Sequence, residues 1–471
     1  MNSRFSSSSE VFAWLSRFIN YESGMIPPKI FRLETMEALA ELAGNPQHCA
    51  PVIHIAGSKG KGSVTGMIAS MLEADGRRTA RFMSPHISDF RERICLGNVF
   101  FDEPVYCTAG DELRDLAENN VPACGYSIFD PEKGGDVPSF FELLTIYFFL
   151  CARAGSCDVM VVETGMGGRL DATNIVDPLV SVITLIELEH TAFLGNTIAA
   201  VAGEKAGIIK QGRPLVLARQ CAEAKEVFIK RAAEKNSPLL YFPDIAAVEN
   251  PKIHSGGTDF SLIILPAPTQ HQNINCRVGA GLELSIPIPG KVQAENAALA
   301  VVALKKAFPD IGDKALQLGL KQVNIPARFE KINAAVNGKC ILPVIIDGAH
   351  TPESASLCAD TFCSLYGEGG VLIFGCAADK NAAGMAQVLL PRFSHIIITM
   401  PGTFKVSNPE KIYHVFSMQA VPEKGKILNI KDTGEAIRHA LDTALENNLP
   451  VLCMGSFYLA SEVRALLDYH L

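Results

Sequence analysis

Residues 52–63, VIHIAGSKGKGS, constrain this chain more than any other stretch. A β-branched apolar run leads into three closely spaced glycines, and an apolar-periodic stretch, residues 64–75, leads out of them. That order predicts a strand, a tight loop and a helix start. Gly57, Gly60 and Gly62 can take backbone angles closed to other residues, so successive N–H groups can turn inward as an anion cradle. Within this loop, which also carries Ser58, Lys61 would lie beside bound phosphates and the Ser63 hydroxyl could ligate a divalent cation. A strict Walker A loop has its Ser or Thr directly after the Lys, whereas Gly62 intervenes here. The competing reading is a glycine-rich β-to-α turn with an incidental lysine.

At 471 residues the chain is too long for one ordinary core and implies two or three domains. Hydrophobic content of 48% with 20% charged residues describes a soluble globular protein. A net charge of -8 argues against a general nucleic-acid binder and points to small-molecule partners. The thirteen cysteines form no CxxC pair and no zinc spacing, so they read as buried hydrophobes in a reducing cytosol. The most apolar window, residues 140–151, contains Glu142 and is too short to span a bilayer. The Ser-rich start lacks the apolar core of a signal peptide. The expected location is cytoplasmic, with no membrane association.

Short apolar strands alternate with helical stretches along the chain. Strands are expected at 79–83, 158–162, 179–186 and 214–218, with helices at 11–19, 31–43, 140–151 and 197–209. This implies a mainly parallel sheet covered by helices on both faces. Residues 240–290 change to short β-like pieces among Pro, Gly and Asn, which suits a small antiparallel addition closed by a helix at 293–307. From about residue 330 a second series of strands (344–347, 371–375, 395–399, 426–430 and 451–454) predicts a smaller doubly wound, Rossmann-like domain. The expected division is 1–325 and 326–471.

Several acidic or imidazole residues fall at strand ends on the phosphate-loop side: Glu163, the pair Glu187 and Glu189, and His190. A nucleoside triphosphate needs Mg²⁺, which takes oxygen ligands, and Ser63 with Glu163 would hold one such ion. His190 could instead order its loop by hydrogen bonds. Glu142 could simply cap a helix from Ser139, and GGRLDATN (167–174) could be an Asp/Asn turn held by its own side chains. Residues 84–94, SPHISDFRERI, could be a solvated loop or could border a site for an anionic substrate. In the second series DGAHTP (347–352) delivers Asp347 and His350 to a strand end, so two sites could face each other across a cleft that closes and excludes water.

Taken together these stretches resemble the Mur ligase superfamily and, within it, the folylpolyglutamate synthase and dihydrofolate synthase family. AGSKGKGS matches that family's modified phosphate loop, in which one residue separates Lys from Ser. SPHI with ERI, SFFELLT, ETGMGGRLDATN, EHTAFLGNT, EKAGIIK, PARFE, DGAHTP and GSFY follow in the family's order, from about residue 20 to the C-terminus. The resemblance implies that Lys61 and the loop hold the β- and γ-phosphates of ATP, with Ser63 and Glu163 on one Mg²⁺ and His190 on a second. It implies that Lys205 is carbamylated; otherwise Lys205 reads as a neighbour of Glu204 on a solvated helix face. Asn296, Arg328, Asp347 and His350 match positions that grip adenine, phosphate and ribose. Departures stand at Lys59, Glu189, Val292, Thr351 and Asn381, where the family usually has Asn, Asp, His, Asn and Asp.

The implied reaction is ATP-dependent ligation of L-glutamate to 7,8-dihydropteroate, or to the γ-carboxylate of a folate, through an acyl phosphate, in a monomer. The rivals are a Mur-type amino-acid ligase acting on a different acid, and a nucleotide-binding switch without ligase chemistry.

Overall fold

The computed structural model describes residues 4–21, 33–119, 138–265, 281–333, 335–336, 339–340, 343–402, 406–420 and 425–468. The first two residues of the helix expected at 31–43, and residues 266–280 of the expected antiparallel addition, lie outside the described residues.

The first sheet contains β1 (Val52–Ala56), β2 (Thr79–Phe82), β3 (Ile94–Leu96), β4 (Val99–Phe100), β5 (Val159–Glu163), β6 (Val180–Ile183), β7 (Leu215–Leu217) and β8 (Leu239–Tyr241). Their order is β4-β3-β2-β5-β1-β6-β7-β8. The β2–β3 and β3–β4 pairings are antiparallel and the rest parallel. β1 lies inside the sheet with later strands on both sides, so the loop after it leaves at a point where the winding reverses. Ligands of open α/β sheets bind at such points.

Alternate residues of these strands divide between two cores. Ile53, Ile55, Val159, Val161, Val180 and Val182 share one with helices Lys61–Ala74 and Lys291–Ala307, whereas Val52, Met160, Val162, Ala80 and Phe82 share the other with helix Phe140–Ala154. Each buried aliphatic side chain of this kind contributes about 1.5–3 kcal/mol. Helix Phe140–Ala154 starts at a capping box: the Ser139 N–H donates to Glu142 Oε2 at 2.7 Å, and the Glu142 N–H donates to Ser139 Oγ at 3.3 Å. Glu142 thus has the capping role.

Helix Lys61–Ala74 begins three residues before the apolar period does, so Lys61 to Ser63 form its first turn. Helices Glu103–Asn119, Ala222–Glu234 and Asp313–Gln322 stand in addition to those expected from the sequence. The last two bury narrow stripes: Ala224, Phe228 and Ala232 in one, Leu316, Gly319 and Leu320 in the other. Gly319 lets its helix touch backbone, since a Cβ there would lie 2.4 Å from Met71 Cα.

The addition is an antiparallel sheet of β9 (Ala246–His254), β10 (Gly257–Ile264) and β11 (Leu282–Ile286), which sends Phe260, Leu262, Leu284 and Ile286 into the first core. The C-terminal part comprises β12 (Glu330–Ile332), a hairpin β13 (Ala335–Val336) and β14 (Lys339–Cys340), then β15 (Val344–Ile346), β16 (Gly370–Phe374), β17 (Phe393–Ile398), β18 (Lys426–Asn429) and β19 (Val451–Met454). Its main sheet runs β12-β15-β19-β16-β17-β18, with only β12 antiparallel. Phe362, Met385 and Phe416 pack with Leu372 and Phe374, whereas Ala436, Leu459 and Val463 pack with Val371 and Ile373. Helices therefore cover both faces, as the doubly wound reading requires. Among the described residues no helix is long and apolar enough to cross a membrane.

Candidate active site

The glycine loop is built against β6. Gly57 has φ +149°, and a Cβ on it would lie 1.8 Å from Thr184 Oγ1. The N–H groups of Ser58 and Lys59 both donate to the Leu185 carbonyl, at 2.9 and 3.1 Å, and Ser58 Oγ donates to the Glu187 carbonyl at 2.9 Å. Gly60, at φ +86°, caps helix Lys61–Ala74; a Cβ there would lie 2.6 Å from Asn296 Oδ1. A Cβ on Gly62 would lie 3.5 Å from Glu163 Oε2 and 3.7 Å from an Arg328 guanidinium nitrogen. The three glycines therefore let Thr184, Asn296, Glu163 and Arg328 approach the loop and the N-terminus of its helix.

Lys61 Nζ donates to the Gly57 carbonyl at 2.8 Å and so lies folded over the loop. Ser63 is buried and its Oγ has no hydrogen-bond partner among the described residues. Glu163 is buried at the end of β5, where a 3.4 Å contact from the Ser84 N–H reaches its Oε2. Burial raises its carboxyl to about 7, against the opposing pull of Lys61 and Arg328.

Lys205 corrects the solvated-face reading. It is 1% exposed, and its Nζ donates to the Gly57 carbonyl at 2.8 Å and to Glu189 Oε1 at 2.7 Å. Burial, reinforced by the positive Lys61 nearby, brings its ammonium down to about 8. Burial pushes the Glu189 carboxyl up, but Lys61, Lys205 and His190 together hold it at about 2. His190 takes a left-handed conformation, φ 47°, at the start of the short helix Thr191–Leu194; burial lowers its imidazole to about 4, so it is neutral near pH 7.

GGRLDATN is the bracket that holds Lys205. Asp171 accepts from the Met166 N–H at 2.8 Å and from the Thr173 N–H at 3.0 Å, and Asn174 Nδ2 donates to the carbonyls of Arg169 and Gly207. A Cβ on Gly168 would lie 2.9 Å from Lys205 Cα, and one on Gly207 would lie 2.3 Å from Arg169 Cα. The turn and the helix end thus pack backbone to backbone.

From the C-terminal part, Arg328 stacks its guanidinium 4.3 Å from the Phe457 ring centroid. Both Asp347 oxygens already accept backbone N–H bonds, from Phe329 at 2.8 Å and Ala349 at 2.7 Å. His350 Nδ1 lies 2.8 Å from the Gly348 carbonyl, an acceptor, so the ring donates there and leaves Nε2 as a lone-pair acceptor. Burial lowers this imidazole to about 3, with Lys59 adding to the effect. Asn296, from helix Lys291–Ala307, has its amide 3.3 Å from Gln293 Oε1.

Residues 84–94 are mostly half-buried rather than a solvated loop. They contain a short 3₁₀ helix, Phe90–Arg93, with its own capping box, and Arg93 is buried with its Nε 2.8 Å from His86 Nδ1. Arg464 of helix Phe457–Asp468 reaches this segment, at 3.3 Å from Ser88 Oγ, and also Glu330 at 3.1 Å. Gln220 had no sequence signal: it braces the loop floor by donating to the Thr184 carbonyl at 2.8 Å. Phe457 lies within the GSFY stretch, where only its place in the motif marked it.

Among the described residues no group of three or more His, Cys, Asp or Glu side chains is arranged to hold a metal alone. Ser63 and Glu163 nevertheless fit an ion completed by phosphate oxygens: one is a buried hydroxyl without a partner, the other a buried carboxylate with one long contact.

Residues 129–304 match the Mur ligase middle domain, and residues 327–457 match the Mur ligase, glutamate ligase domain. The chain is 30% identical over 437 residues to the folylpolyglutamate synthase of Lacticaseibacillus casei, covering 91% of this chain and 92% of that one. It is 31% identical over 435 residues to the dihydrofolate synthase/folylpolyglutamate synthase of Mycobacterium tuberculosis, covering 89% and 82%. The structure of Mycobacterium tuberculosis folylpolyglutamate synthase complexed with ADP matches with a TM-score of 0.83 at 28% identity, over 98% of each chain.

Proposed function

This chain belongs to the folylpolyglutamate synthase and dihydrofolate synthase family of the Mur ligases, and from that premise we propose that it uses ATP to join L-glutamate to a pteroate or folyl carboxylate. The observation that carries the reading is the convergence on one helix N-terminus of Lys61, the unpartnered Ser63 hydroxyl, Glu163 and Arg328. A carboxylate oxygen of the acceptor attacks the γ-phosphorus, the β–γ bridge breaks, and ADP leaves behind an acyl phosphate. The glutamate amine then attacks the acyl carbon, loses a proton, and inorganic phosphate departs. Lys61, released from the Gly57 carbonyl, and Arg328 neutralise charge on the transferring group, while the loop N–H groups orient it.

Magnesium, when bound, would supply further charge neutralisation at the phosphates. Ser63 and Glu163 would hold one ion, and His190 with Lys205 a second. For the latter the Lys205 ammonium would first lose one proton, and the neutral amine would then add to CO₂ and lose a second, giving a carboxylate-like ligand; its lowered basicity supports that role. Asn296 and His350 are assigned to adenine and ribose, with Asp347 holding the turn around them. The middle-domain match ends at 304 and the glutamate-ligase match begins at 327, which supports a boundary at 325/326.

Phosphate release with dihydropteroate and tetrahydrofolate, each with and without L-glutamate, tests the reading. Glutamate-dependent release with at least one acceptor is expected; release with neither overturns it.

A further inference from the structure

We propose that Lys59 is a second phosphate-binding ammonium of the loop, one that meets the terminal phosphate of a bound triphosphate and so separates ATP from ADP. This rests on the nucleotide-loop reading above. Lys59 stands between Gly57 and Gly60, and its backbone is pinned to β6 through the Leu185 carbonyl at 3.1 Å. Its side chain cannot drift far from the loop, and it is half-buried.

No described residue gives the Lys59 ammonium a hydrogen bond or an ion pair. Lys61 and Lys205 do have such contacts, to the Gly57 carbonyl and to Glu189. The charges around Lys59 come from both halves of the molecule: Glu187, Glu189 and Lys61 on the loop side, Lys380 and His350 on the other. Lys380 is itself tied to Asp379 at 3.3 Å. Burial lowers the Lys59 ammonium; Glu187 and Glu189 attract it while Lys61 and Lys380 repel it, and neither glutamate is within hydrogen-bonding or ion-pair reach of it. A γ-phosphate arriving over the loop would supply the missing oxygens, with Lys61 on the same group. ADP, lacking that phosphate, would leave Lys59 as it stands.

The test is calorimetric binding of ADP and of an ATP analogue with a methylene between the β- and γ-phosphates, to wild type, Lys59→Gln and Lys59→Arg. Lys59→Gln should weaken the triphosphate analogue about tenfold, the worth of one charge-assisted hydrogen bond, and ADP less than about threefold. Lys59→Arg should recover most of the loss, and retained ADP binding shows that the variant loop is folded. Equal losses for both nucleotides would reduce Lys59 to a structural residue, and unchanged analogue binding would remove it from the site; either overturns the proposal while leaving the ligase reading intact. A wild-type protein that binds neither nucleotide overturns both.

Discussion

Lys205 Nζ and the Gly57 carbonyl oxygen, 148 residues apart in the chain, are joined by a 2.8 Å hydrogen bond in the interior of the molecule. The same carbonyl accepts from Lys61 at 2.8 Å, so one loop oxygen holds two lysines in place. Removal of Lys205 leaves Glu189 without its ion-pair partner, 2.7 Å away. Under the proposed metal-site role, Lys205→Ala should lower glutamate-dependent ADP release by about 100-fold. Added acetate or formate should restore part of the rate if a carbamate is the working group. Wild-type activity in the variant would remove Lys205 from the mechanism.

Ser63 separates a structural from a functional role. Its hydroxyl is buried and unpartnered among the described residues, so Ser63→Ala removes an unmet polar atom and should shift stability by no more than about 1 kcal/mol. Turnover should nevertheless fall about 10- to 100-fold, with a higher Mg²⁺ requirement. Urea midpoints together with a Mg²⁺ titration of ADP release check this, and an unaltered titration refutes the metal assignment.

Gly57 and Gly76 both have positive φ, +149° and +82°, but only Gly57 is crowded: a Cβ there would overlap Thr184 Oγ1 at 1.8 Å, whereas nothing lies within 4 Å of one at Gly76. Gly57→Ala should cost about 3 kcal/mol or more, combining strain with overpacking, and Gly76→Ala about 1 kcal/mol. Chemical unfolding of the two variants measures the difference; equal losses would show that Thr184 yields.

His54 makes stability depend on pH. It is fully buried on β1, with Nε2 2.8 Å from Thr173 Oγ1, and burial, with Lys210 nearby, lowers its imidazole from 6.5 to about 3. Below 6.5 the unfolded chain binds a proton that the native ring does not. This contribution is therefore fully present above 6.5 and is lost as pH falls toward 3. Between pH 7 and pH 5.5 wild type should lose about 1 kcal/mol more than His54→Gln. Parallel pH dependences in the two proteins would contradict the shift.

The chain by itself determined the strand, loop and helix at 52–75, the mainly parallel character of the sheets and the second doubly wound unit. These follow from local properties: glycine permissiveness, unbroken apolar runs and the Ser139–Glu142 cap act within a few residues of one another. The helix Asp313–Gln322 buries Leu316 and Leu320, but its close approach is made by Gly319 against the Met71 backbone, a closeness that no apolar period encodes.

The tertiary structure alone decided what Lys205 is. In the sequence it is a charged residue beside Glu204; in the fold Gly168 and Gly207 let two segments meet at backbone distance and shut that lysine away from water, against Glu189 and the loop. The tertiary structure likewise fixed which His350 nitrogen is free, through the Gly348 carbonyl, and left the Ser63 hydroxyl and the Lys59 ammonium without hydrogen-bond partners among the described residues. Burial and the meeting of groups more than a hundred residues apart are properties of packing, and they set the charge and reach of each side chain at this loop.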